Sequence, residues 1–127
     1  MVQEITIEKL YDKLCTKLEK MKGLTDMYIG KAENVEERKK EHKERNEYNY
    51  TIEIAYGDAE VINDGEKFLI AKFKKSKLPC RNVGDGGEGN NDATKLYISY
   101  NYDKSKMKTI NNLEDDELDI ISYKLKN

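Results

Sequence analysis

The stretch "MYIGKAENVEERKKEH", Met27 to His42, decides how the chain is read. Its apolar start suits only a short strand, Gly30-Lys31 makes a turn, and Asn34 to about Arg45 reads as a helix. Asn34 is placed to cap that helix, and Glu36 and Glu37 sit in its first turn, where the helix dipole favours negative charge. Yet the helix has almost no apolar face. Stepping by three and four from Val35, its one aliphatic residue, meets Arg38, His42 and Arg45, so the face nearest the protein carries two arginines and the only histidine. Two readings stand: a solvated helix laced with pairs such as Glu36 and Lys40, or a helix whose inward face does chemistry.

Outward from this stretch the pattern alternates. Ile7, Leu10, Tyr11, Leu14, Leu18 and Met21 lay one apolar stripe along a helix before it, which Gly23 ends. Leu24 to Gly30 is then a loop entering the strand "DMYIG". After the charged helix, "YNYTIEIAYG" places Tyr50, Ile52, Ile54 and Tyr56 on one side and Thr51, Glu53 and Ala55 on the other, the period of a half-buried strand. Asp58 can cap the helix "AEVINDGEKFLIAKFKKS", which stops in lysines before Pro79. "PCRNVGDGGEGNND" is a loop, "TKLYISYNY" a strand, and the tail from Asn112 a possible last helix. This order predicts one small α/β (α+β) domain, with a short antiparallel central sheet flanked by helices and an extra N-terminal helix.

Composition narrows the setting. A chain of 127 residues holds one modest core. It is 38% charged, its apolar runs are only a few residues long, and "MVQEITIEKL" has no export pattern, so neither a membrane span nor secretion is expected. Cys15 and Cys80 are far apart with no metal-type spacing and read as reduced thiols of an intracellular, cytoplasmic protein. The richness in Lys, Asn, Ile and Tyr hints at an AT-rich coding sequence, as in many viruses and phages, which would place the protein in a host's cytoplasm or nucleus. A net charge of -2 gives no bulk attraction to nucleic acid, so any polyanion binding must come from a local patch.

The third helix carries a carboxylate where an apolar residue belongs. Relative to Glu66, Phe73 and Ala59 lie roughly 20° round the helix, and Ile62 and Ile70 roughly 40°. An ionised group there needs a partner, a cation or a cleft. Either Glu66 is a fixed functional charge, or the helix is shifted in register or buries a pair with a lysine. The loop "NVGDGGEGNN" offers N–H groups to an anion beside Arg81, but it matches neither the P-loop nor the dinucleotide fingerprint, and a plain turn explains it as well. No Ser-His-Asp set and no His or Cys cluster is present, so a hydrolase here would use a hard metal on oxygen ligands.

"YIGKAENVEERKKEH" resembles the second signature of the GIY-YIG nuclease superfamily. Tyr28, Ile29, Gly30, Lys31, Asn34, Arg38 and His42 stand at its positions in register, with Ala32 where threonine is common. In "GEKFLIAKF", Glu66 with Leu69 and Ile70 resembles the family's metal-binding glutamate, and Asn82 matches the asparagine often found in the loop after that helix. The resemblance covers roughly Met27 to Asn82. The core is placed at about 24–102; the N-terminal helix at 4–22 and the C-terminal extension at 103–127 have no counterpart in the family. The resemblance implies Mg²⁺ or Mn²⁺ on Glu66, Tyr28 to position or deprotonate the attacking water, and Arg38 and His42 at the phosphate. Phosphodiester hydrolysis in DNA, or RNA, is the activity implied, with Lys31, Lys39, Arg45, Arg81 and Asn82 as nucleic-acid contacts. These types suit their tasks: hard cations want carboxylate oxygen, and guanidinium matches phosphate.

The family's first signature, Gly-Ile-Tyr on an upstream strand, is not in this chain; "YDKLCTKLEKMKG" reads as helix there. Either a different strand completes the sheet, with "KLYISYNY" a candidate, or the strand is lost. Tyr28 then serves alone, or Tyr56, Tyr97 or Tyr100 fills the missing tyrosine's place. The alternative function is an inactive module of this fold that binds nucleic acid or a protein partner.

Overall fold

The computed structural model describes residues 3–21, 23–84, 86, 91–103, 118 and 120–126. Within them the elements run β1 (Glu4–Ile5), α1 (Ile7–Lys20), β2 (Leu24–Ala32), α2 (Val35–Glu44), β3 (Tyr50–Tyr56), α3 (Ala59–Lys75), β4 (Lys95–Tyr102) and β5 (Tyr123–Leu125). The first helix is shorter than the expected 4–22. Thr6 accepts a hydrogen bond from Lys9 N–H at 3.3 Å and so caps α1, leaving Glu4 and Ile5 extended to pair with β5. Asn34 caps α2 as its sequence predicts, its Oδ1 accepting from Glu37 N–H at 3.3 Å. Asp58 occupies the cap position of α3 without a side-chain cap bond. "DMYIG" is the middle of a nine-residue strand rather than a short one preceded by a loop, and Gly30 and Lys31 continue that strand, paired with Tyr97 and Leu96, instead of making a turn.

The sheet has the order β1-β5-β3-β4-β2. Its centre is antiparallel: β4 pairs with both β2 and β3, setting Tyr97 opposite Gly30 and Ile98 opposite both Ile29 and Ile52. β5 joins β3 and β1 in parallel, adding two short strands that periodicity did not reveal. The helix considered from Asn112 falls largely on residues outside the described set, and the tail's described end, Tyr123–Leu125, is strand.

Helices cover both faces, which is why β3 does not alternate cleanly. Met27, Ile29, Ile54, Leu96, Ile98 and Tyr100 form one core with the stripes of α1 and α3, where Leu10, Leu14, Leu18, Ile62, Leu69 and Phe73 are buried. The opposite face is thin, holding Ala32, Val35 and Tyr97 with Tyr28 beside them. There Thr51 and Ser99 hydroxyls bond each other at 2.8 Å, and a register shift between Glu53 and Ala55 buries Ile54 and Ala55 together. α2 thus lies on the sheet with Val35 as its one buried residue. The described residues form an α+β fold, three helices flanking a five-stranded sheet. Among the described residues no helix is long and apolar enough to cross a membrane.

β2 is an edge strand, and the segment after α3 closes its edge. Met27 N–H donates to Pro79 C=O at 2.9 Å, and Arg81 N–H donates to Met27 C=O at 2.8 Å. Two residues on, the Asn82 amide takes over the pairing: its Oδ1 accepts from Ile29 N–H at 2.9 Å and its Nδ2 donates to Ile29 C=O at 2.8 Å. This chain segment therefore lies along β2 and carries Arg81 to the neighbourhood of Tyr28.

Candidate active site

A cleft of about 450 Å³ opens where α2, β2, β4 and α3 meet, and Tyr28, Arg38, His42 and Glu66 all line it. A second lobe of about 220 Å³, between α3 and residues 81–84 and 86, shares Tyr28, Glu66 and Arg81 with the first. Lys31, Arg45 and Arg81 belong to the main lobe, whereas Lys39 lines neither. Asn82 borders the second lobe, but its amide is spent on Ile29 and on the Cys80 thiol at 3.3 Å, so it acts by holding the segment in place. Gly86, at φ +87°, lets the loop settle against α3, where a Cβ would lie 3.0 Å from Lys67 Cα.

Three rings face one another across the cleft. The Tyr28, His42 and Tyr97 centroids are 6.1, 6.3 and 6.0 Å apart in pairs, and Tyr48 packs on His42 at 5.3 Å. His42 Nε2 is 3.5 Å from the Tyr97 hydroxyl. Its buried Nδ1 makes no hydrogen bond, although Glu47 Oε1 is 3.5 Å away. Of the three tyrosines considered as stand-ins, Tyr97 is the one at the site. Tyr100 points into the opposite core and its hydroxyl accepts from Leu118 N–H at 2.8 Å, and Tyr56 does not line the cleft. The antiparallel register explains the choice: Tyr97 faces Gly30, two residue pairs from Tyr28 and so on the same side of the sheet.

Burial holds the Tyr97 phenol well above its ordinary range, the nearby Tyr28 and Glu66 adding to the rise and Arg38 opposing it. Burial likewise pushes the Tyr48 phenol up to about 12. Both are neutral hydrogen-bonding groups near pH 7.

Glu66 lies at the junction of the two lobes, 6% exposed, as the helix periodicity anticipated. Lys31 reaches it from below. The Lys31 side chain is 3% exposed, its Nζ hydrogen-bonded to Asn63 Oδ1 and 3.9 Å from Glu66 Oε1. This is the buried lysine pair that the sequence left open, and it turns Lys31 inward beside Glu66. Arg38 is half-exposed and bonded to Glu41 at 2.9 Å. Sequence reasoning missed Tyr48, Glu41, Glu47 and Asn63. Asn63 and Glu41 sit three residues from Glu66 and Arg38 on their helices, a spacing that was legible.

Among the described residues no three His, Cys, Asp or Glu side chains converge. The donor set nevertheless fits Mg²⁺ or Mn²⁺, which are commonly held by one or two carboxylates with water and phosphate oxygens completing the shell. The chain matches no protein-family model, no curated protein and no solved structure.

Proposed function

We propose that this protein is a divalent-metal-dependent endonuclease with a GIY-YIG-like core, hydrolysing phosphodiester bonds in DNA. The observation that carries the reading is that Tyr28, Arg38, His42 and Glu66, brought from three separate elements, line one cleft. The position of β4 adds support. A tyrosine is expected on the strand beside Tyr-Ile-Gly, and here Tyr97 occupies that place from a strand that comes later in the chain.

On this reading Arg38 and Arg81 receive the phosphate, guanidinium matching its oxygens bidentately. Mg²⁺ or Mn²⁺ on the Glu66 carboxylate would supply Lewis-acid neutralisation of the phosphate charge. Tyr28 orients a water molecule for in-line attack. As the water oxygen bonds to phosphorus, the bond to the leaving oxygen breaks, and that oxygen takes a proton from solvent. Tyr97 is too weak an acid to wait as phenolate, so it relays: its oxygen accepts the water's proton while its own passes to His42 Nε2. Arg38 balances the extra charge that builds on the phosphoryl oxygens. The test is nicking of supercoiled DNA in Mg²⁺ or Mn²⁺. Wild type nicks and Glu66→Ala does not; equal, background-level nicking overturns the reading.

One observation favours a second reading. The Lys31 ammonium beside Glu66 suits a module that binds nucleic acid or a protein without cleaving. Salt-sensitive DNA binding without metal, unchanged in Glu66→Ala and never accompanied by nicking, would establish that instead.

A further inference from the structure

Each carboxylate lining the cleft already has a cation beside it. Glu41 is 2.9 Å from Arg38, Glu47 is 3.8 Å from Arg45, and Glu66 is 3.9 Å from Lys31. Arg81 is left over, so the described cleft is positive by one charge. Arg38 and Arg45 are exposed enough for water to screen their pairs, but Lys31 is not. Its ammonium is sealed beneath the site, tied to Asn63 on the same helix as Glu66, and stays in place when the surface pairs rearrange.

From this arrangement we infer that Lys31 is a resident counter-ion which makes the cleft an anion site first: phosphate binds to it unaided, and a divalent ion is held on Glu66 only together with that phosphate. The inference rests on the nuclease reading and deepens it. A bare divalent ion approaching Glu66 meets a nearby ammonium and, among the described residues, no surplus of negative charge. A phosphodiester meets Arg81 and the released guanidinium of Arg38, and then supplies the negative oxygens that Lys31 has offset. Phosphate and metal must therefore strengthen each other's binding by the same factor, because coupling between two ligands is reciprocal. Lys31 is a positioning residue here, acting through Glu66 without touching the substrate. Its placement protects the cleft from empty metal loading.

The test is a binding measurement that involves no turnover. Mn²⁺ affinity is measured by electron paramagnetic resonance with and without the dinucleotide dTpT, and dTpT affinity by calorimetry with and without Mn²⁺, correcting for the direct Mn²⁺–dTpT complex. In wild type each ligand should tighten the other about tenfold or more, with the two factors equal. Lys31→Met, close in volume, should tighten Mn²⁺ alone about tenfold and bring the coupling factor toward one. Mn²⁺ affinity indifferent to dTpT in wild type overturns the inference, as does a folded Lys31→Met that binds Mn²⁺ alone no better. The wild-type coupling decides the matter even if Lys31→Met does not fold. If neither ligand binds wild type in a way that Glu66→Gln or Arg81→Ala weakens, the nuclease reading itself has failed and this inference with it.

Discussion

The ring of Tyr97 occupies the space that a side chain on Gly30 would need: a Cβ on Gly30 would lie 2.3 Å from Tyr97 Cζ and 2.4 Å from its hydroxyl. The glycine of Tyr28-Ile29-Gly30 is thus what lets a tyrosine of the neighbouring strand lie across β2 and reach His42. Gly30→Ala should destabilise the fold by about 1–3 kcal/mol through overpacking and push the phenol away from the cleft. In a Tyr97→Ala background the same substitution should cost almost nothing. Urea denaturation of the four proteins measures this; additive losses would mean the two residues are not coupled.

Asn82 should behave as part of the sheet rather than as a ligand contact. Asn82→Ala removes both bonds to Ile29 and exposes an edge that the protein keeps covered, at about 1–3 kcal/mol for the groups left unpaired. Hydrogen exchange at the Ile29 amide should quicken, and DNA binding should weaken only as far as Arg81 loses its place. An Asn82→Ala protein with wild-type protection at Ile29 and no DNA binding would show the reverse, a direct contact.

Stability should fall as pH rises above the ordinary tyrosine range. Tyr48, at about 12, and Tyr97, raised by burial, both keep their protons in the folded state while the unfolded chain loses them from about pH 10. The unfolded state then binds fewer protons than the folded one, so unfolding becomes easier with each step from pH 10 to 12. The stabilisation is fully present below pH 10. Urea midpoints across this window, compared among wild type, Tyr48→Phe and Tyr97→Phe, should show a shallower decline in each variant.

Much of this was legible in local pattern. The capped helix after Tyr28-Ile29-Gly30, the stripe of Leu10, Leu14 and Leu18, and the odd placement of Glu66 follow from periodicity and capping chemistry alone. What was hidden is long-range. Tyr97 and Gly30 are 67 positions apart, and only the register of β4 against β2 brings them together. β1 and β5 were missed because two or three residues paired across nearly the whole chain leave no periodic signal. The burial of Lys31, a residue of β2, was hidden because it depends on Asn63 and Glu66 arriving from α3.

DNA affinity should fade with salt in proportion to the cleft cations that meet phosphate. Arg81→Ala and Arg45→Ala should each reduce the slope of log affinity against log salt by about 0.7–0.9, whereas Lys39→Ala, outside the cleft, should leave it nearly unchanged. Equal effects from all three would describe a diffuse basic surface and no defined track.

The most direct measurement is single-turnover nicking of supercoiled DNA in Mg²⁺ or Mn²⁺ by wild type, Glu66→Ala and Tyr97→Phe side by side. Both variants should stay folded, Glu66→Ala losing at least about a hundredfold in rate and Tyr97→Phe about a hundredfold. Wild type that nicks no faster than Glu66→Ala, with every protein folded, would contradict the claim that this cleft cleaves phosphodiesters.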